Sequence, residues 1–432
     1  MRTGLVLTIG AALIVTASSA DAAPTYIHAG RLMAVPGQAV RGTSTIVVDG
    51  DRIVSVGAGF QTPPAGAALV DLRDKTVLPG LIDAHVHLAS DRGGEAGLLS
   101  FVREEPQMNA LEAQMNGMKT LRAGFTTVRN LGDEGATLAL REAIKRGWVQ
   151  GPRIIDAASS ISTTGGHMDG RGGLNDDLVA HLPSPENLCD GADSCRKVVR
   201  RQIDRGADVI KFATTGGVNS GTGLATRMEE EEARALVATA HAYGRKVAVH
   251  AHGADGIKLA LRAGADSIEH GTVMDDEIVR TMKKQGTYYV PTLSTVNGYL
   301  ERLAANPNAY APDVKKQIDW RIGITGLSLR KAAPAGVKIA FGTDAGVSKH
   351  GRNADEFELL VKYGLTPAEA IKAATVNAAD LLGLGGEIGT IEPGKSADII
   401  AVSGDPLADV KILKRVEFVM AQGEVIKSTG MR

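Results

Sequence analysis

The stretch richest in chemistry is Leu81-Ile82-Asp83-Ala84-His85-Val86-His87-Leu88. It is an apolar, strand-like run ending in His-x-His. On a strand, residues i and i+2 point the same way. His85 and His87 therefore present two imidazoles to one side, spaced to share a single metal ion. Val77-Leu78-Pro79-Gly80 turns the chain into this run. Four further residues with ligand chemistry each close an apolar run of their own. Lys211 ends Ala207 to Lys211, His250 ends Lys246 to His250, His270 ends Ala265 to His270, and Asp344 ends Val337 to Asp344. Singly, a histidine at a strand end is more often structural than ligating, and a lone Lys or Asp usually faces solvent. The weight lies in their joint placement.

The elements that must position these residues can be read from the same runs. Helical stretches such as Glu231 to Tyr243 and Asp255 to Ala263 separate them, and alternating strands and helices indicate a parallel sheet. Eight runs can be counted. They are Val77 to His87, Thr126 to Leu131, Arg153 to Ala158, the runs ending at Lys211, His250 and His270, Thr287 to Leu293, and the run ending at Asp344. Eight strand–helix units over roughly 300 residues predict an α/β fold, a (β/α)8 TIM barrel with insertions. Functional groups in that fold sit at the C-terminal ends of strands, and all six candidates fall there, on strands 1, 4, 5, 6 and 8. The barrel is expected over 77–385. Short strands before and after it, 24–76 and 386–432, are expected to pair into one small β-sandwich. Asp49-Gly50 and Gln422-Gly423 supply its hairpin turns.

This pattern resembles the amidohydrolase superfamily of metal-dependent hydrolases over the whole mature chain. It most resembles the imidazolonepropionase-related branch of Xaa-Pro dipeptidases and metal-dependent carboxypeptidases, which also includes ochratoxin-degrading amidases. The segments carrying the resemblance are Ser162-Thr163-Thr164-Gly165-Gly166-His167, Ile210-Lys211-Phe212-Ala213-Thr214-Thr215-Gly216-Gly217 and Val249-His250-Ala251-His252-Gly253. The resemblance implies two divalent metal ions, zinc first among them, and a carboxylated Lys211 bridging both. A neutral lysine amine can capture carbon dioxide and become an anionic oxygen ligand, whereas a charged one would repel the metals. His85, His87 and Asp344 are expected at the more buried ion, and His250 and His270 at the more exposed one. A hydroxide shared by two cations is a nucleophile at neutral pH. Asp344 is then the catalytic residue that takes its proton and returns it to the leaving amine.

Four residues are candidates for holding substrate. The resemblance places His167 in a substrate-holding loop. His252 either faces the pocket with His250 or supports a ligand from behind. Tyr288 and Tyr289 alternate on the seventh run, so one faces inward; Tyr289 lines the pocket or packs in the core. Arg227, in the loop after Lys211, is the candidate partner for a substrate carboxylate. The loops 88–108, 160–187, 214–228 and 294–312 set the pocket's shape. The acidic run Glu229 to Glu232 opens a helix, where negative charge suits the dipole, and reads as a solvated face.

The 432 residues suffice for a large core and a second small domain. With 48 basic and 49 acidic residues, no basic face is implied, which disfavours nucleic-acid partners. Arg2, the apolar run Leu5 to Val15 and Ala20-Asp21-Ala22 read as a secretory signal peptide over 1–23, too short in its apolar part to span a membrane. A secreted or periplasmic product, free of the membrane once the signal is removed, is expected. Cys189 and Cys195 form a short disulfide in an oxidising compartment, or remain two free thiols. The expected activity is cleavage of dipeptides or N-acyl amino acids to release a C-terminal amino acid. The alternative is hydrolysis of cyclic amides or lactones. A non-catalytic scaffold conflicts with a complete ligand set. The resemblance also implies a homo-oligomer.

Overall fold

The structure, a computed structural model, describes residues 23–92, 97, 99–100, 103–182, 185–220 and 222–429. The expected signal peptide, apart from Ala23, lies outside the described residues. Among the described residues, fourteen strands follow in order: β1 (Thr25–Leu32), β2 (Ser44–Asp49), β3 (Arg52–Ala58), β4 (Ala68–Pro79), β5 (Leu81–Val86), β6 (Phe125–Asn130), β7 (Arg153–Asp156), β8 (Val209–Ala213), β9 (Lys246–Ala251), β10 (Ser267–His270), β11 (Tyr288–Val290), β12 (Ile399–Val402), β13 (Phe418–Ala421) and β14 (Glu424–Ser428).

Both chain ends enter one seven-stranded sheet, in the order β14-β13-β12-β4-β1-β2-β3. Only β1 and β4 run parallel. The sheet folds over, so that Ile53 N donates to Lys395 O and Ala397 N to Asp51 O. Ile27, Val48 and Leu72 from the N-terminal part thereby share a core with Ile399, Phe418 and Met420. Each such side chain contributes roughly 1.5–3 kcal/mol when fully buried, which holds the distant ends together. Gln422 and Gly423, both at positive φ, form the β13–β14 turn. In the β2–β3 hairpin the turn sits one residue later than expected, at Gly50-Asp51, because Asp49 still pairs with Arg52.

The remaining strands are parallel, β5-β6-β7 in one sheet and β8-β9-β10-β11 in another. Helices alternate with them, including Pro106–Arg122, Ala136–Lys145, Ala192–Asp204, Glu230–Ala242, Ala254–Ala263 and Asp276–Gln285. An isolated parallel bridge, Ile161 to Phe212, links the β7 side to β8. The last expected strand is not a regular strand. Residues 337–345 are bridged at two points, Ile339 to Tyr289 and Ala345 to Val86. Ala84 N and Asp344 N cross-link the same segment, to Phe341 O and His85 O.

The expected first run, Val77 to His87, is in fact two strands. Gly80 divides it: Pro79 pairs with Ile399 in the seven-stranded sheet, while Leu81 pairs with Phe125 in the parallel one. A β-carbon at Gly80 would lie 2.2 Å from Thr126 Oγ1 and 2.7 Å from its Cγ2. Gly80→Ala is therefore expected to destabilise the protein by about 1–3 kcal/mol, as overpacking does, measured by urea unfolding. An unchanged midpoint would mean that Thr126 moves aside freely.

Charge placement differs from the sequence reading at one helix. Glu232, expected on a solvated face, is buried. Its carboxylate accepts from Glu229 N and Gly191 N, at 2.8 and 2.7 Å, closing a capping box. Gly191 lies between Cys189 and Cys195, which are joined by a disulfide. Among the described residues, no helix is long and apolar enough to cross a membrane.

Candidate active site

The six expected ligands converge on one cavity of about 220 Å³. His85 comes from β5, and His87 follows it. Lys211 lies in the middle of β8, two residues earlier in its strand than expected. His250 is next to last on β9, and His270 is last on β10. Asp344 belongs to the bridged 337–345 segment. His270 and Asp344 have φ of 69° and 56°. Such left-handed backbone is uncommon outside glycine and is stored where surrounding contacts enforce it. Around Asp344 those contacts include Asp83, whose carboxylate accepts from Thr343 N, Thr343 Oγ1 and Asn353 Nδ2 at 3.1, 2.6 and 2.8 Å.

The donors fall into two groups, His85 with His87 and Asp344, and His250 with His252 and His270. Within each group the ligand atoms lie within 4.8 Å of one another. Asp344 Oδ1 is 3.5 Å from His85 Nε2 and 3.4 Å from His87 Nε2. Lys211 Nζ is 3.5 Å from His85 Nε2. The opposite nitrogens are engaged elsewhere. His85 Nδ1 donates to Glu269 Oε2 at 2.8 Å and His87 Nδ1 to Gly132 O at 3.0 Å. Nδ1 of His252 and His270 meets Thr272 and Thr292 hydroxyls, both at 2.7 Å. His250 is turned the other way: its Nε2 donates to Gly216 O at 3.1 Å, leaving Nδ1 for a ligand. The acceptor-only oxygens facing His85, His87 and His250 fix the proton on the engaged nitrogen and free the other, while at His252 and His270 a hydroxyl occupies Nδ1 and leaves Nε2 free.

Electrostatics favour ligand-ready forms. Burial pushes His85, His250, His252 and His270 well below the ordinary histidine range, so their rings stay neutral. For His87 burial acts the same way, but Asp133 and Asp344 outweigh it and the net shift is upward. Burial lowers Lys211 to about 8, with Arg129 adding to the effect and Glu269 and Asp344 opposing it. Burial also raises the Asp344 carboxyl, against His87 and Lys211. Neutral imidazoles and a carboxylate, converging on one cavity, fit divalent ions such as zinc.

The substrate candidates separate. His252 stands with the ligands rather than behind them. His167 lines the cavity, its ring stacked on His250 with centroids 4.2 Å apart, and it sits against the bare backbone of Gly217. Tyr289 takes the core alternative. It is buried beneath His270, donating its hydroxyl to His270 O at 3.2 Å, and does not line the cavity. Arg227 is a correction. Its guanidinium turns back to Thr222 O, and its backbone joins Thr214 and Thr163, so it ties its own loop together.

Sequence reading missed Glu269, Arg129, Tyr299 and Arg321. Glu269 had a signal, a carboxylate inside an apolar strand with Ser267 two residues before it on the same face. Tyr299 and Arg321, on helices Thr295–Ala305 and Pro312–Gly323, line the cavity but carry no periodic signal.

The amidohydrolase family model matches residues 76–426, and the chain belongs to that family. It is similar to the ochratoxinase of Aspergillus niger, 30% identical over 97% of this chain and 90% of that protein. Among solved structures it resembles a Xaa-Pro dipeptidase with methionine bound in its active site. Their TM-score is 0.87 at 40% identity, covering 93% of this chain and 99% of that one. It also resembles a prolidase complexed with N-methylphosphonate-L-proline, with a TM-score of 0.85 at 32% identity, covering 94% and 100%. The chain is thus a hydrolase of amide bonds with an amidohydrolase fold.

Proposed function

We propose that this chain is an exported, binuclear metal-dependent amidohydrolase that cleaves dipeptides or N-acyl amino acids to release a C-terminal amino acid. The observation carrying this reading is the convergence of His85, His87, Lys211, His250, His270 and Asp344, from separate segments, on one cavity. We read the two parallel sheets and the bridged 337–345 segment as one closed (β/α)8 barrel over 77–385, with 24–76 and 386–432 forming the second domain. The Cys189–Cys195 disulfide supports export, since disulfides persist in oxidising compartments.

When bound, divalent ions supply Lewis acidity that polarises a carbonyl and acidifies water. His85, His87 and Asp344 would hold one ion, and His250 and His270, with His252 beside them, the other. Lys211, as its carbamate, would serve both. Asp344 lies within 3.5 Å of two ligand nitrogens, and burial raises its proton affinity. It is placed to hold a proton and pass it to the leaving amine nitrogen. The cavity is smaller than the ~300–1,000 Å³ usual for larger ligands, which suits a dipeptide-sized group.

The test is hydrolysis of a panel of dipeptides and N-acyl amino acids, ochratoxin A included, by zinc-loaded protein. Release of a free C-terminal amino acid is the expected result. Turnover of no linear amide, at two metals per chain, would shift the assignment to cyclic amides or lactones.

A further inference from the structure

The cavity wall contains a cation that the ligand arrangement leaves unexplained. Among the described residues two arginines are buried, Arg129 and Arg321, at 2% and 3% exposure. Arg129 is saturated: it donates to Ala84 O, Ser267 Oγ and Glu269 Oε1 at 2.6, 3.2 and 2.8 Å. Arg321 is not. Its Nη1 donates to Thr325 Oγ1 at 3.0 Å, and its guanidinium has no ion pair among the described residues. A guanidinium is always charged, and a buried charge is costly unless paired. The side chain instead lines the cavity that holds the ligand set. Its position is close enough that its charge adds to the burial that depresses the neighbouring His252 ring.

The surroundings define what would complete it. Tyr299, Val218, Val347 and Met168 line the same cavity. Tyr299 and Val218 belong to an apolar cluster with Val296 and Ile318. An arginine fork matches a carboxylate with two parallel hydrogen bonds. Beside it, an apolar wall accepts a hydrocarbon side chain. Both features line the same cavity as the nitrogen and oxygen donors that would act on an amide carbonyl. Arg227 is held by its own loop and does not line this wall.

We propose that Arg321 binds the free α-carboxylate of the substrate's C-terminal residue, so that the site selects acids over amides and esters. This specificity role rests on the amide-hydrolase reading above, and binding separates the two. The probes are L-phenylalanine and L-phenylalaninol, which differ only in the carboxylate and contain no hydrolysable bond. Calorimetric titration of the zinc-loaded wild type should show at least ~10-fold tighter binding of the acid, in line with a charge-assisted pair. In Arg321→Met and in Arg321→Gln, which can still reach Thr325, that preference should fall to ~3-fold or less. Thermal melting of each variant reports folding, and binding of L-phenylalaninol reports an intact cavity. A preference absent from the wild type, or undiminished in either folded variant, overturns the proposal. Acid preference that depends on Arg321, with no turnover of any linear amide, would uphold the carboxylate site and reject the amide-hydrolase reading.

Discussion

Lys211→Ala is expected to lower kcat/KM on the best linear amide by ~10³-fold or more and to reduce bound metal from about two ions per chain to about one or fewer. The expectation follows from where the side chain ends. Lys211 is 1% exposed, its Nζ lies 3.5 Å from His85 Nε2, and it lines the one cavity that both donor groups line. An ammonium there would repel cations, whereas a carbamate would attract them. Burial has already weakened the ammonium, bringing the group down to about 8. The pH dependence has a definite sign. Below that value the amine is protonated and cannot capture carbon dioxide; as pH rises through it, the neutral amine becomes the main form. Reactivation of metal-free wild type by zinc and bicarbonate should therefore speed up between pH 7 and 9. In Lys211→Ala that rise should vanish. Formate or acetate, small enough to enter the emptied space, should restore part of the activity. Elemental analysis and initial rates decide the matter: full metal content with wild-type turnover would remove Lys211 from the ligand set.

Much of this site was legible because strand geometry is simple. His85 and His87 are two residues apart at a strand end, and the other four close apolar runs. Strand periodicity and fold position were enough to gather them. The same logic did not reach Glu269, beside which the backbone leaves the regular strand. His270 and Asp344 turn through left-handed conformations. At His270 this lets the ring enter the cavity while Glu269, one residue earlier, also reaches His85; plain alternation would send these neighbours to opposite faces. Tyr289 stayed open for a related reason. Alternation shows that one of two tyrosines faces inward, but not whether inward means cavity or core. Arg321 and Tyr299 were illegible because they reach the cavity from helices that follow strand β11, and the packing of those helices over the site depends on contacts distant in sequence. Pro79-Gly80 marked a turn in the first run, but not that its two sides pair in different sheets, because their partners Ile399 and Phe125 are distant in sequence.

Arg129→Met is expected to carry the largest stability cost of any single change near the site, about 3–5 kcal/mol, because it breaks a buried pair from one side. Arg129 and Glu269 are 2% and 0% exposed and lie 2.8 Å apart. Glu269 also accepts from Ser267 Oγ at 2.5 Å and from His85 Nδ1 at 2.8 Å. Burial alone would raise the Glu269 carboxyl, but Arg129, then His85 and Lys211, overcome it and hold the group at about 2, against an ordinary value of 4.5. A carboxyl depressed in the folded state stabilises the protein above its unfolded value and loses that contribution as pH falls toward the folded one. The wild-type advantage over Arg129→Met should therefore be full at pH 6–8 and shrink below pH 4.5. Urea unfolding at pH 7 and pH 4 measures both parts, and equal stability of the two proteins at pH 7 would refute the assignment. Changing both partners to apolar residues, Arg129→Met with Glu269→Leu, should recover part of the loss, since no charge is left buried alone. Activity should not return with it. Without Glu269, nothing fixes the proton on His85 Nδ1, and the nitrogen facing Asp344 is no longer held ready as a ligand. Recovery of stability without recovery of turnover would separate the two roles of this buried trio, cohesion of the strands and orientation of His85.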